Sequence, residues 1–370
     1  MTIVDNTNLK KVLPMERSTN SLGIKTALLV LLFLTAAESG CLQPEIGEKT
    51  VKIEDMAGRS VLVPKDVGRV VALKAGTLRL LTYINGIDRI VGVEQIEKTD
   101  CTRPYILAHP KLSKLPSVGP IHGGDAELIT AQEPDVIFCT YISVREANEL
   151  QHKTATPVIV LEYGGIGSDE LTESLMIIGK VLGEEDRALE IQDFFKRVTA
   201  DLEDRVCGES AEVYVGGIGY HGAHGLLSTE LSYPPFKYLH VKNVAGSLGV
   251  EHAYIDEEAL LEWDPAIIFI DELGYPLIKE ELKRRAYRNL GAFRTGEIYG
   301  VLPYNSYTTN FGTVLANAYY IGVVLYPDQF SGVDPAEKAD EIYEMLLGSE
   351  VYGQMEEIYG GFGKLNCNSN

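Results

Sequence analysis

A repeated motif is the feature of this sequence that most constrains its fold. One copy begins at Asp125 and the other at Asp256; in each, a Glu comes two residues after the Asp and a Pro seven residues after that Glu. The Asp is suited to cap a helix, and the helix dipole favours the acid in the first turn. The Pro ends the helix, and the apolar run after it is typical of a buried strand. The repeat predicts two similar α/β units, each with an acid, Glu127 or Glu258, at an exposed helix start.

Apolar runs alternate with helical patterns on both sides of a charged stretch, residues 184–205, that contains neither Gly nor Pro. At about 1.5 Å per residue this stretch predicts a rigid helix roughly 33 Å long. The predicted strands are 69–73, 90–93, 136–140, 158–161, 212–215, 267–270 and 298–302. The pattern predicts an α/β fold of two Rossmann-like lobes with mainly parallel sheets. This single long helix is expected to join the two lobes.

The predicted organisation has six segments. They are a leader (1–41), a tether (42–50), an N-terminal α/β lobe (51–167), a helical connector (168–206), a C-terminal α/β lobe (207–350) and a tail (351–370) that is poorly ordered from Gly360 onward.

The chain of 370 residues carries a net charge of -20. Residues 1–40 hold four basic and three acidic side chains, so the rest carries -21. This net negative charge argues against a basic patch that would bind nucleic acid or an anionic membrane face. The excess of Asp and Glu side chains serves either to keep the protein soluble or to attract a cationic partner.

The N-terminus is typical of a secretory leader. Four basic residues precede the apolar run 26–37, and Ser39-Gly40-Cys41 follows. The run is shorter than the roughly 20 residues of a comfortable transmembrane helix. The small residues before Cys41 resemble a lipoprotein signal, in which that Cys carries the lipid anchor, although Glu38 departs from the pattern. The alternative is an uncleaved signal anchor.

The other cysteines include no C-x-x-C pair, so they indicate neither a zinc nor a redox site. Cys139 lies within a predicted buried strand and is expected to be a core thiol.

A glycine motif, residues 217–222, matches G-x-G-x-x-G directly after a predicted strand. A dinucleotide site would need a helix opening at the third Gly and an acid about 20 residues on. Loop-forming residues follow instead, and Lys242 and Asn243 occupy the acid's expected position. No nucleophile motif is present, which argues against an enzyme. An exported α/β enzyme using a nucleotide cofactor is the alternative class.

Open α/β sheets bind ligands at the carboxyl ends of their strands, and the loops there are rich in Tyr. The His-x-x-His spacing in one of these loops is a weak metal signal by itself, so no protein metal site and no cofactor are predicted. The candidate ligand-binding residues are Tyr141, Tyr220, His221, His224, Tyr304, Asn305 and Tyr307.

Together these features resemble the substrate-binding proteins of iron-chelate (siderophore) and vitamin B12 ABC importers. The resemblance covers roughly residues 49–347 and is carried by the segments 51–63, 69–93, 123–138 and 255–270. It implies a ligand cleft between the two lobes, and it implies that Glu127 and Glu258 dock into the two permease subunits of an importer driven by its ATPase. Gly222-Ala223-His224-Gly225 and Tyr233-Pro234-Pro235-Phe236 are similar to an iron-complex subgroup. The resemblance implies a monomeric lipoprotein on the outer face of the cell membrane that delivers an iron-siderophore-type chelate. Cobalamin, haem and other chelates, such as those of nickel, are the alternatives.

Replacing Cys41 with Ser is expected to release the mature protein into the medium or to leave an uncleaved precursor, because the lipid-bearing thiol is gone. Membrane fractionation with immunoblotting reports the outcome. A Cys41→Ser protein that stays fully membrane-bound and correctly processed would contradict the lipid anchor.

Overall fold

The structure is a computed structural model that describes residues 49–206, 212–249, 252–282 and 287–366. The leader with Cys41 lies outside these ranges. Within them, none of the helices combines the length and the apolarity that a membrane crossing needs.

The first lobe is built on a four-stranded parallel sheet with the order β4-β3-β5-β6. An antiparallel hairpin, β1-β2, precedes the sheet. The elements of this lobe are β1 (Thr50–Glu54), β2 (Ser60–Pro64), β3 (Val70–Leu73), α1 (Thr77–Tyr83), β4 (Ile90–Gly92), α2 (Ile96–Thr99), α3 (Pro104–Ala108), α4 (Ala126–Thr130), β5 (Val136–Cys139), α5 (Val144–Thr154) and β6 (Val158–Val160), with 3₁₀ turns at Gly86–Arg89 and Leu112–Lys114.

Two helices follow the first sheet along the chain, α6 (Asp169–Leu182) and α7 (Glu185–Arg205). The second is the long helix that the sequence predicted. At its start the Arg187 guanidinium donates to the Tyr83 carbonyl of α1. Near its end Asp201 accepts a hydrogen bond of 2.6 Å from the Tyr319 hydroxyl of the second lobe. The helix therefore contacts both lobes.

The second lobe contains a five-stranded sheet with the order β13-β12-β11-β7-β9, parallel except for β13. Strands β8 and β10 form a separate antiparallel pair. The elements are β7 (Glu212–Gly216), β8 (Ser228–Glu230), α8 (Pro234–Lys237), β9 (Lys242–Asn243), β10 (His252–Tyr254), α9 (Glu257–Trp263), β11 (Ile268–Asp271), α10 (Tyr275–Glu281), α11 (Gly291–Thr295), β12 (Ile298–Val301), α12 (Phe311–Leu325), α13 (Pro335–Leu347), α14 (Tyr352–Tyr359) and β13 (Gly363–Lys364), with 3₁₀ turns at Val244–Leu248 and Tyr287–Asn289.

Aromatic side chains from both lobes share one apolar core beneath the sheets. Phe311 of α12 stacks on Tyr163 of the first lobe with ring centroids 4.9 Å apart. Phe195 of α7 contacts the edges of Phe311 and Tyr83. Close packing of this kind resists relative motion of the lobes. Cys139 belongs to a separate apolar cluster of the first lobe, where it is buried in a strand as predicted.

The two copies of the repeated motif form the predicted helix-strand units, but only the first is capped as predicted. The Asp125 carboxylate accepts the backbone N–H groups of residues 127 and 128, each at 3.0 Å. Asp256 also precedes a helix, yet its side chain makes no capping hydrogen bond. Glu127 and Glu258 are both exposed in the first helical turn. Since each helix runs back along the sheet before its strand, both acids lie on the carboxyl side of their sheets.

The prediction of a poorly ordered tail from Gly360 is wrong for the described residues 360–366. Strand β13 pairs with β12, and the Leu365 N–H donates to the Ile298 carbonyl at 2.9 Å. Helix α14, which was not predicted, buries Met355 in the core. Edge-strand pairing is set by the partner strand, so a short glycine-rich segment gives little local signal for it.

Replacing Asp125 with Ala is expected to cost about 1 kcal/mol of unfolding free energy, because two helix N–H groups lose their acceptor. The matched change Asp256→Ala is expected to lower the unfolding free energy by only a few tenths of a kcal/mol, since that side chain caps no helix N–H group. Urea unfolding of both variants measures the difference. Equal losses would contradict the asymmetry of the two caps.

Candidate functional site

A cleft of about 820 Å³ lies between the lobes. It is formed by the loops that follow β3, β4 and β5 in the first lobe and β7, β11 and β12 in the second, together with residues 121–122 and α14. The lining residues are Ala75, Ile96, Asp100, Thr102, Ile121, His122, Tyr141, Tyr220, His221, Gly222, Ala223, Leu273, Pro303, Asn305, Ser306, Tyr307, Thr308 and Tyr359. This position, at the carboxyl ends of parallel strands, is where such sheets usually bind ligands.

Five of the predicted ligand-binding residues line the cleft: Tyr141, Tyr220, His221, Asn305 and Tyr307. They reach it from both lobes, on three different strand-end loops. Tyr141 and Tyr220 expose about half of their side chains, at 56% and 47%. One face of the Tyr220 ring stacks on His252 with centroids 4.5 Å apart, so Tyr220 offers a ligand its other face.

Two predicted residues, Tyr304 and His224, lie elsewhere. Tyr304 is only 3% exposed, and its ring packs edge-on against Tyr233 with centroids 5.4 Å apart. His224 turns away from the cleft, where its Nε2 lies 2.6 Å from the Tyr220 carbonyl and 3.0 Å from the Tyr254 hydroxyl. Position just beyond an apolar run locates a loop, but the backbone turn decides which side chains face the cleft.

His122 and Tyr359 line the cleft but were not predicted. His122 precedes α4 rather than following a strand, and Tyr359 ends α14 far along the chain. Neither position carries a sequence signal of its own, since only the folded chain brings these segments to the cleft.

The backbone around the cleft adopts conformations that are unusual for residues other than Gly. Left-handed φ angles occur at Lys74, His122, Tyr141, His221, Tyr307 and Thr308. Thr308, with φ of 66°, is an outlier because its β-branched side chain crowds the backbone there. Such strain costs roughly 1–3 kcal/mol per residue and persists where surrounding contacts fix the loop. The glycine motif after β7 also forms this wall, and no helix opens within it, so its geometry differs from a dinucleotide loop.

The buried guanidinium of Arg79 fixes the loop of residues 305–309, which we call the latch loop. Arg79 is 1% exposed and belongs to the first lobe, whereas the latch loop belongs to the second. The guanidinium donates to the Thr309 carbonyl at 2.8 Å, to the Ser306 carbonyl at 3.0 Å and to the Tyr163 hydroxyl. That hydroxyl in turn donates to the Thr309 carbonyl at 2.6 Å. The cation thus joins the two lobes beneath the cleft.

Glu94 makes a second connection between the lobes. Its carboxylate accepts the Tyr307 hydroxyl at 2.7 Å, the Gly123 N–H at 2.8 Å and the Lys74 N–H at 2.9 Å. Burial raises the pKa of Glu94, and these hydrogen bonds oppose that rise. The same hydroxyl bond holds the Tyr307 ring over the cleft.

The cations below the cleft are already paired with the protein's own groups. Arg103 bonds Glu97 at 2.8 Å and Asp100 at 2.9 Å, and Arg79 is occupied as described. Among the described residues that line the cleft there is no Lys or Arg. The described residues also contain no group of three or more His, Cys, Asp or Glu side chains placed to hold a metal ion. The cleft therefore offers a ligand aromatic rings, imidazoles, hydroxyls and amides.

A sequence profile described as "Periplasmic binding protein" matches residues 70–303, well over half of the chain. The chain belongs to the periplasmic binding protein family. Its members are substrate-binding proteins of ABC importers that work outside the cytoplasm. The protein is therefore a substrate-binding transport protein rather than an enzyme, which confirms the class that the sequence predicted.

The comparisons with individual proteins agree with this family. The chain is 23% identical over 318 residues to the molybdate-binding protein MolA of Haemophilus influenzae, covering 79% of this chain and 89% of MolA. The fold matches the molybdate-bound MolA structure with a TM-score of 0.64 at 20% identity, covering 81% of this chain and 98% of MolA. It also matches Helicobacter pylori CeuE in a nickel-histidine complex, with a TM-score of 0.58 at 18% identity and coverage of 84% and 99%. At such identities these structures share the fold of this periplasmic binding protein.

Replacing Arg79 with Met is expected to destabilise the protein by about 2–5 kcal/mol, because buried carbonyls lose their donor. The matched control is Arg69→Met, since exposed Arg69 also donates to two backbone carbonyls. That change is expected to cost less than about 1 kcal/mol. Denaturant unfolding measures both; similar losses would contradict the role given to Arg79.

Proposed function

We propose that the protein captures a metal chelate of the iron-siderophore type in the inter-lobe cleft and delivers it to an ABC importer. The observation that carries this proposal is the cleft itself, about 820 Å³ in volume, with tyrosines on both walls and a histidine from each lobe. Its volume falls within the roughly 300–1,000 Å³ typical of sites for organic ligands. A bare ion would fill a small part of it.

The chemistry of the walls supports an organic ligand that carries a metal. Tyr141, Tyr220, Tyr307 and Tyr359 offer ring faces to an apolar or conjugated body and hydroxyls to its polar rim. His122 and His221 offer imidazole nitrogens suited to an open coordination position of a transition metal. The contacts of the latch loop keep Tyr307 in place before a ligand arrives, which lowers the entropic cost of binding. Cobalamin, haem and nickel chelates have the same general chemistry.

A bare oxyanion is the second candidate, because the relative MolA is a molybdate-binding protein. Hydroxyl and amide donors at Asn305, Ser306 and Thr308 favour it. The Asp100 carboxylate in the lining and the pairing of Arg79 and Arg103 disfavour it. A dianion in this cleft would meet neutral donors and no free guanidinium among the described lining residues.

Isothermal titration calorimetry of the mature protein tests the proposal with ferric siderophores, cobalamin, haem, a nickel-histidine complex and molybdate. A chelate is expected to bind, and Tyr220→Ala is expected to weaken binding at least about tenfold, equivalent to about 1.4 kcal/mol. Tyr254→Ala is the matched control, since Tyr254 lies on the same lobe, is 59% exposed and does not line the cleft. Tight molybdate binding with no chelate binding would replace the proposal by the oxyanion function.

We also propose that Glu127 and Glu258 dock on the two permease subunits. Both are exposed acids on the carboxyl side of their sheets, and together they present one anionic point per lobe. Arg side chains on the permease would pair with them, and truncating one partner of such a buried pair costs about 2–5 kcal/mol.

Changing both Glu127 and Glu258 to Ala is expected to abolish uptake in cells while calorimetry finds the ligand affinity unchanged. The control is Glu133→Ala with Glu262→Ala, which removes exposed acids from the same two motifs. The control pair is expected to retain uptake. An equal loss of ligand binding in the first pair would place these acids in the ligand site.

A further inference from the structure

Two adjacent acids are buried where β11 ends. Asp271 is 1% exposed and Glu272 is 3% exposed. Asp271 accepts the Leu273 N–H at 3.0 Å. Neither acid lines the cleft, and neither takes part in the ligand contacts proposed above.

Glu272 reaches from the sheet to the C-terminal segment, residues 352–366, which we call the strap. Its Oε2 accepts the Gly361 N–H at 3.0 Å. Two glycines make room for the carboxyl group. A Cβ on Gly300 would lie 2.6 Å from Oε1, and one on Gly360 would lie 2.7 Å from it. The carboxyl group therefore fills a slot between β12 and the strap.

The position of the strap determines whether Tyr359 is present in the cleft. Phe362 stacks on Tyr320 of α12 with ring centroids 4.5 Å apart, and β13 adds the strap to the sheet edge. Tyr359, which precedes the two glycines, then lies in the cleft wall. Movement of residues 360–361 away from Glu272 would carry Tyr359 with them.

The surroundings of Glu272 disfavour a negative charge. Its Oε1 is buried with no hydrogen-bond partner. The charged and titratable groups that face it are Asp271, Glu356, Tyr320 and Tyr352. Those that face Asp271 are Glu272, Tyr233, Tyr304 and Tyr359. No cation pairs with either acid among the described residues, and a buried carboxylate without such a partner is costly.

We propose that Glu272 fastens the strap as an un-ionised carboxylic acid, and that loss of its proton releases the strap and withdraws Tyr359 from the cleft. Burial raises the pKa of Glu272 to about 8. The charge of Asp271 adds to this rise, and the Gly361 hydrogen bond opposes it. Burial likewise raises the pKa of Asp271 to about 7. The release thus falls in a mildly alkaline range, and the part that concerns Tyr359 and the ligand rests on the proposed function.

The direction of the pH effect follows from proton linkage. The folded form holds the Glu272 proton more tightly than the unfolded chain, whose Glu pKa is near 4.5. Stability due to this group is therefore complete below that value and declines as the pH rises toward and past about 8. Local release of the strap is expected over the same range.

Amide hydrogen exchange of the full mature chain, corrected for intrinsic rates, tests the proposal without any ligand. Between about pH 6 and pH 9 the Gly361 and Phe362 amides are expected to lose protection at least about tenfold, while those of β7 stay protected. Glu272→Gln, which stays neutral, is expected to remain protected at pH 9. Asp271→Asn and Glu356→Gln are the controls and should keep the pH response.

Three results would overturn the proposal. They are wild-type protection that persists at pH 9, a Glu272→Gln strap that is released like the wild type, and an Asp271→Asn variant that alone removes the response. The wild-type titration decides even if a variant fails to fold. Because exchange requires no ligand, its outcome is independent of whether the cleft binds a chelate.

Discussion

The hydrogen bonds from Arg79 to the latch loop are the constraint on which the rest of the site depends. A guanidinium buried between the lobes must have acceptors, and here two main-chain carbonyls and the Tyr163 hydroxyl supply them. The two carbonyls belong to the latch loop, which has left-handed backbone conformations at Tyr307 and Thr308. The same bonds that satisfy the cation therefore maintain the strain that places Tyr307 against the ligand cleft.

This arrangement explains how a periplasmic binding protein of this shape presents its cleft. The long helix α7 contacts both lobes, and Phe311, Tyr163 and Phe195 pack in one core beneath them. Opening the cleft widely would break the hydrogen bonds of Arg79 and Glu94 with the latch loop, and it would expose that core to solvent. We therefore expect a preformed site with small closure, in which the ligand is recognised by side chains already in position. A large aromatic-lined cleft of this kind suits a chelate better than a bare ion.

Much of the fold was predictable from the sequence, because its signals are local. Apolar periodicity located seven of the nine strands described in the two main sheets and missed the two-residue strands β9 and β13. The run without Gly or Pro located α7 nearly to the residue. The repeated motif located both helices that carry Glu127 and Glu258, although Asp256 makes no cap. The site was predictable only in part. Tyr304 and His224 follow the right strands but turn away, whereas His122 and Tyr359 reach the cleft through long-range packing. The strap escaped prediction because its order depends on Glu272 and β12 rather than on its own residues.

The distance between the lobes is the most direct test of a preformed cleft. Spin labels at Val144 and Leu277, exposed positions on the two lobes, would be placed in a mature chain whose Cys41, Cys101, Cys207 and Cys367 are replaced by Ser. Pulsed electron resonance would then measure the distance distribution with and without ligand. A preformed cleft predicts one narrow population that shifts by less than about 2 Å on binding and broadens in Arg79→Met. Two populations in the protein that retains Arg79, or a large closure of the cleft on binding, would contradict a preformed cleft.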